Sequence, residues 1–256
     1  MTGRDDILVK LDRDEIIGSP SYTQISNLGV VQLKHGYDQG LLDLILEKAL
    51  ELKEQYAAKR QLNLRYIRSA HVLIPEINEI ARSPLRLERL SRLAQTKIEP
   101  YPLSVIASII TFSGTESSPD GAIRWHADGV PATELVPLAM EDLEGGELQL
   151  YKGAAEVGLA LQEQGQIIPV GSVSSVTHRL GYSVFGQLMR LMHRVGPITR
   201  GSRVTLNMNL RSAERPYVDD NSMCYLAADN PDFSWADAYI TDVRERQLPA
   251  YMEHQS

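Results

Sequence analysis

The sequence predicts an α+β protein in which helices come first and a β-sandwich or jelly roll follows. Three observations carry that expectation. Leu41, Leu42, Leu44, Ile45, Ala49, Leu50 and Leu52 recur at helical spacing in the first part of the chain. From Leu103 onward, short β-branched or alternating runs take over, punctuated by Gly and Pro. No internal repeat or low-complexity linker interrupts the 256 residues, so a single domain over 1–256 is expected. Within it, a helical or mixed part reaches about residue 100, a core of strands covers about 101–212, and a covering segment covers about 213–256. The early helices are expected to pack on one sheet.

Taken in order, Gly29-Val30-Val31-Gln32-Leu33 reads as a short strand, and His35 to Gly40 as a polar turn. The helix that follows runs to about Lys59. Arg60 to Ala70 favours neither helix nor strand. A short helix is expected over Ile74 to Ala81. Ser83-Pro84 then starts another, Ser as the cap and Pro in the first turn, continued by Leu85, Leu87, Leu90 and Leu93 to about Thr96. Strands are expected at Val105 to Phe112, Glu147 to Tyr151, Ile167 to Val170, Tyr182 to Phe185 and Val204 to Leu210. The tail from Ala213 to Ser256 has little periodicity and is expected to fold back as a cover.

Composition narrows the class. A net charge of −7 argues against a general nucleic-acid binder, which needs basic surface to replace counterions. One cysteine, Cys224, forbids an internal disulfide and a thiolate zinc cluster, as suits a reducing cytoplasm. Cys224 is expected to be a small packing residue. No apolar run approaches a membrane span, and Met1 to Asp6 lacks a signal-peptide core. A soluble, cytoplasmic protein without a membrane partner is expected; the oligomeric state is not legible, and a homodimer stays open.

The chemistry concentrates in Arg124-Trp125-His126-Ala127-Asp128-Gly129. On extended backbone, residues two apart share a face, so His126 and Asp128 can reach one metal ion. His193 follows sixty-seven residues later and offers a third ligand. Two imidazoles and one carboxylate hold a divalent ion while leaving positions open. His-x-Asp alone is common as surface polarity, so its partners matter. Gly145-Gly146-Glu147-Leu148 precedes an alternating strand, although by itself it reads as a hairpin turn. Gly181 to Phe185 leads towards His193, and Arg203 lies ten residues beyond it. If Thr199-Arg200-Gly201 forms a three-residue hairpin loop, Ile198 pairs with Ser202 and His193 with Asn207. His193, Arg203, Thr205, Asn207 and Asn209 then share one face, with Arg203 about 13 Å along the ladder from His193.

Together, His126-Ala127-Asp128, His193-Arg194-Val195, Pro197-Ile198-Thr199, Gly201 and Arg203 resemble the Fe(II)/2-oxoglutarate-dependent dioxygenase superfamily. The resemblance covers roughly Leu103 to Arg211. It implies a double-stranded β-helix (a cupin-like jelly roll), with Fe(II) bound by His126, Asp128 and His193. It also implies 2-oxoglutarate held by Arg203, with Thr205 at the hydroxyl position that accompanies that arginine. The family reaction uses O2, converts 2-oxoglutarate to succinate and oxidises a substrate C–H. Family halogenases lack the carboxylate that Asp128 supplies, so the resemblance implies hydroxylation or a related oxidation.

For the substrate, the chain's length and the interval between its histidines are similar to those of compact family members acting on free amino acids. Asn207, Asn209, Trp125 and Trp235 are the candidate substrate contacts. Trp125 reads equally as core, and Trp235 equally as an anchor for the tail. Arg65, Arg68, His71 and Arg124 are carboxylate candidates, and Glu134 and Asp237 amine candidates, but solvated surface roles suit them better. His35, His178 and His254 carry no functional expectation. The competing readings are the same chemistry on a peptide, protein or nucleobase, a non-catalytic jelly-roll binding module, and a zinc hydrolase. The last lacks its helix motif and leaves Arg203 without a role.

Overall fold

The computed structural model describes residues 6–18, 25–59, 64–115 and 123–255. Its strands are β1 (Ile7–Asp12), β2 (Leu28–Lys34), β3 (Ala58–Lys59), β4 (Arg65–Ile67), β5 (Ile98–Pro100), β6 (Ser108–Gly114) and β7 (Ile123–His126). They continue with β8 (Ala132–Gly145), β9 (Leu148–Tyr151), β10 (Val173–Val176), β11 (Tyr182–Gly186), β12 (His193–Val195) and β13 (Ile198–Ser212). Among the described residues these form two antiparallel sheets. The larger runs β1, β2, β11, β8, β13, β6, β4, β3, with β5 added beside β13; the smaller runs β10, β9, β12, β7.

The helices of the first half are α1 (Arg13–Ile17), α2 (Gln39–Tyr56), α3 (Ala70–Leu73), α4 (Ile77–Ala81), α5 (Pro84–Ala94) and α6 (Ser104–Ala107). The Asp38 side chain caps α2 by accepting from the Leu41 N–H at 2.8 Å. The α2 stripe then buries Leu42, Ile45 and Ala49 in one cluster with Ile110, Val136, Leu206 and Met208 from the large sheet. Ser83 caps α5 and Pro84 opens it. Later come α7 (Ala155–Glu163), α8 (Met223–Asp229), α9 (Ala236–Asp242) and α10 (Leu248–Gln255).

The period of two along β13 decides where the core sits and where a cavity forms. Val204, Leu206 and Met208 face the helices. Arg203, Thr205, Asn207 and Asn209 face the space between the two sheets. Along β13 the face a sandwich usually fills with apolar side chains is therefore polar, and it borders a cavity of about 190 Å³ that Ile109, Leu135, Leu148 and Leu188 also line.

Several expectations are corrected. Ile198 to Ser202 is not a hairpin. Ile198 pairs with Gly145, and Ser202 with Gly114 and Glu141, because β13 is one long strand between β6 and β8. His193 stands in the other sheet, opposite His126 and Leu150. Gly145-Gly146 likewise carries the chain from one sheet to the other rather than turning a hairpin. Val105 to Ala107 belong to a helical turn, and β6 begins only at Ser108. Ile167 to Val170 forms no strand: Ile167 and Val170 are 91% and 90% exposed, so their apolar character reports no burial. The helix expected over Ile74 to Ala81 begins only at Ile77, as α4 after Pro75, and α3 precedes the expected range. Cys224 is exposed on α8 rather than packed. Arg60 to Asn63, part of the segment left open above, lies outside the described residues.

The tail is helical and docked. Arg211, buried on β13, donates to Glu99 at 2.8 Å and to Asp242 of α9 at 2.6 Å. Trp235 is 3% exposed among Tyr101, Leu103, Val130 and Leu226. No helix among the described residues is long and apolar enough to cross a membrane.

Gly145 and Gly146 have φ of +84° and +73°. A Cβ on Gly145 would lie 2.0 Å from the Pro197 carbonyl oxygen, so backbone strain and a backbone clash coincide. Gly145→Ala is expected to cost at least about 2 kcal/mol, read from the denaturation midpoint. A wild-type midpoint would contradict the need for glycine there.

Candidate metal centre and its cavity

His126 ends β7 and His193 begins β12, directly opposite each other in register, with ring centroids 4.3 Å apart. Asp128 lies just past β7. Its N–H donates to the Leu188 carbonyl at 3.3 Å, and it bridges to Met189. Its Oδ1 is 3.4 Å from His126 Nε2 and 3.6 Å from His193 Nε2. The three ligand atoms all lie within 4.8 Å of one another.

Backbone carbonyls set the tautomers. His126 Nδ1 is 2.8 Å from the Arg124 oxygen, and His193 Nδ1 is 2.7 Å from the Leu191 oxygen. A carbonyl only accepts, so each Nδ1 carries a hydrogen, and each Nε2 is the nitrogen that can ligate a metal once it is unprotonated.

Burial, then the His126 charge, lower the pKa of His193 to about 4 against the pull of Asp128. For His126, burial works downward, but the hydrogen bond and charge of Asp128 outweigh it and raise the pKa. Burial would raise Asp128, yet the imidazoles hold it below the usual carboxylate value. Below the raised His126 value a metal ion must therefore displace a proton from His126, whereas His193 stays neutral down to about pH 4. Fe(II) affinity is expected to fall about tenfold per pH unit once the pH drops below the raised His126 value. Metal titrations across a pH series check this, and equal affinity at pH 5 and pH 8 would contradict it.

Arg203 lies elsewhere in the same cavity, 3% exposed on β13. Its Nη1 donates to the Gly146 oxygen at 2.6 Å, so the glycine turn also orients the guanidinium. Burial pulls its pKa to about 10, partly opposed by Glu147. Its Nε is buried without a partner, as is the hydroxyl of Thr205 two residues along the same face. Buried unpaired donors are costly, and an acceptor entering the cavity would satisfy both. Three convergent metal donors and two unsatisfied donors beyond them fit an iron ion and the far carboxylate of a chelating diacid.

Asn207 and Asn209 line the cavity as well. Asn209 is already engaged, accepting from Thr133 at 2.9 Å and donating to the Ile106 oxygen at 2.6 Å. Trp125 borders an outer cleft while packing near Tyr151 and Met192, with Arg194 over its ring at 4.8 Å. Trp235 is set apart in the tail's own cluster, its indole N–H on the Asn230 oxygen at 2.9 Å, which leaves it the anchoring role.

The outer cleft, about 620 Å³, adjoins the inner cavity at His126, Asp128, Val130 and Asn209. Arg124 lines it, as do Glu163 of α7 and Asp229 of α8. Asp229 also accepts from the Tyr66 hydroxyl. Arg65 instead pairs with Glu54, Arg68 donates to the Asp229 carbonyl at 2.7 Å, His71 meets Ser108, and Asp237 is exposed. Glu134 is neither surface nor amine site. It is buried against Arg86 at 2.6 Å.

Sequence reasoning missed His178, Tyr66, Asp229 and Glu163. Each reaches the cavity or cleft from a loop, short strand or helix whose facing depends on its neighbours. No local periodicity signals them.

No family model and no curated protein matches this chain. Solved structures do. EctD from S. alaskensis with bound Fe is 16% identical with a TM-score of 0.53, over 82% of this chain and 85% of that one. SnoK of nogalamycin biosynthesis, a non-heme alpha ketoglutarate dependent carbocyclase, is 16% identical with a TM-score of 0.53, over 72% and 80%. SnoN, an epimerase of the same biosynthesis, is 15% identical with a TM-score of 0.52, over 72% and 78%. At such identities what is shared is the fold, here that of 2-oxoglutarate-dependent oxygenases.

Proposed function

We propose that this chain is an Fe(II)- and 2-oxoglutarate-dependent oxygenase that hydroxylates an unactivated C–H of a small molecule, such as a free amino acid or a derivative. The observation that carries the reading is one cavity shared by the convergent His126, Asp128 and His193 and a buried, incompletely satisfied Arg203.

In this reading the triad holds Fe(II) through His126 Nε2, His193 Nε2 and the Asp128 carboxylate. The carbonyls of Arg124 and Leu191 keep both rings in the liganding tautomer. Arg203 meets the distal carboxylate of 2-oxoglutarate, its fork held by Gly146, with the Thr205 hydroxyl as a further donor. The bound metal, 2-oxoglutarate and O2 supply a two-electron oxidation of the substrate, with succinate and CO2 released. The chain's part is to enclose that chemistry between the sheets and to present one C–H beside the triad. Asp128 keeps a carboxylate on the iron, which favours hydroxylation over halogenation.

The substrate would occupy the outer cleft, whose volume suits a small molecule. Arg124 offers a guanidinium for a carboxylate, and Glu163 and Asp229 offer carboxylates for an amine, so the lining matches a zwitterion. The single cysteine accords with a cytoplasmic setting, and the net charge of −7 with a partner other than nucleic acid.

The test is succinate formation across a panel of free amino acids, with Fe(II), 2-oxoglutarate and O2. Stimulation by one or a few amino acids supports the reading. Succinate unaffected by every amino acid but stimulated by a peptide would overturn the substrate class.

A further inference from the structure

We propose that His178 is a third donor to the distal carboxylate of 2-oxoglutarate, acting with Arg203 and Thr205 to select a diacid over a monoacid. This rests on the reading above and adds a residue to it.

His178 lies between β10 and β11 and is 4% exposed. It lines the same cavity as Arg203 and Thr205. Its Nδ1 is buried without a partner, like Arg203 Nε and Thr205 Oγ1. Three unsatisfied polar atoms therefore belong to side chains from two different elements that line one cavity. Leaving any one of them unpaired is costly, and a purely packing role at 178 would be filled better by an apolar ring. A carboxylate offers about four acceptor sites, enough for all three groups.

The loop is built to hold the imidazole in place. Buried Gln32 of β2 donates to the Thr177 carbonyl at 2.7 Å. His35 N–H donates to the Gly181 carbonyl, and Tyr182 N–H to that of Arg179, both at 3.2 Å. Burial first, then the Arg203 charge, keep His178 well below its ordinary pKa. The ring is therefore neutral with one N–H, and its donation does not depend on protonation.

The experiment is calorimetric titration of anaerobic, Fe(II)-loaded protein with 2-oxoglutarate and with 2-oxopentanoate, which has the same chelating head but no distal carboxylate. His178→Phe keeps the ring volume and removes both nitrogens. It is expected to weaken 2-oxoglutarate about ten- to a hundredfold and leave 2-oxopentanoate unchanged, with His178→Gln recovering part of the loss. If the wild type prefers the diacid, Arg203→Ala removes that preference and His178→Phe does not, His178 has no such role while the functional reading stands. Equal weakening of both ligands would make it structural and also overturn the proposal. A wild type without any preference for the diacid would bring down the functional reading as well. Should His178→Phe fail to fold, the histidine 15N resonances of Zn(II)-loaded wild type decide. The His178 ring signals shift with 2-oxoglutarate and not with 2-oxopentanoate, or the assignment is wrong.

Discussion

Arg203→Ala is expected to weaken 2-oxoglutarate binding at least about a hundredfold while leaving Fe(II) affinity within about twofold. The guanidinium is buried, and its nearest carboxylate influence is Glu147, which only partly offsets the cost of burial. Its removal would leave the ligand's distal carboxylate in a low-dielectric cavity with only hydroxyl and imidazole donors. The candidate ligands His126 and His193 sit on the opposite sheet with their own carbonyl partners, and Asp128 lies just past that sheet, so iron binding is expected to be insulated from the change. Arg203→Lys is expected to recover only part of the loss, because an ammonium cannot make the two parallel bonds of the fork. Calorimetry with each ligand separately checks this. Equal loss of iron and 2-oxoglutarate would show that Arg203 supports the fold rather than the cosubstrate.

The largest expected effect on stability lies away from the metal. Glu134→Ala should cost about 3–5 kcal/mol, read from denaturant unfolding. The Arg86 and Glu134 side chains are 1% and 2% exposed and meet at 2.6 Å. Tyr37 donates to the same carboxylate at 2.8 Å and Ser183 at 2.7 Å. One carboxylate thus joins α5, the turn before α2, β8 and β11, and its loss strands a buried arginine. Burial would raise the pKa of Glu134, but the Arg86 charge and the hydrogen bonds from Ser183, Tyr37 and Arg86 lower it. A carboxylate lowered in this way stabilises the fold above its unfolded pKa, and that contribution is lost as pH falls through the folded value. The gap between wild type and variant should therefore narrow in acid. A difference below about 1 kcal/mol at neutral pH would contradict the account.

What was legible in the sequence was mostly periodic. Val204 to Leu210 announces its two faces by alternation, and those faces hold although the hairpin proposed to explain them does not. The face of a strand depends only on its own residues, whereas its partners depend on chain far away. His193 and Arg203 therefore share a cavity by facing each other across two sheets, not by sharing one strand pair. The 14-residue β8 was not legible because Pro137 and four acidic residues interrupt its apolar pattern. Pro137 is tolerated beside a register shift opposite Val204 and Thr205, an arrangement visible only once β13 is in place. Ile167 and Val170 misled in the other direction, since isolated apolar residues are common on surfaces. The cluster of His126, Asp128 and His193 was legible because a candidate metal site restricts residue types, and the structure brings the three together. His178 was not, because a lone histidine in a loop carries no spacing to read.

The central claim is that His126, Asp128 and His193 bind the iron on which 2-oxoglutarate chelates. Anaerobic addition of Fe(II) and 2-oxoglutarate to the metal-free protein tests it most directly, through the weak visible band of the chelate. The account predicts a band that saturates at one iron per chain in the wild type and is lost in His126→Ala and Asp128→Ala. A band of undiminished intensity in both variants would place the iron elsewhere and contradict the account.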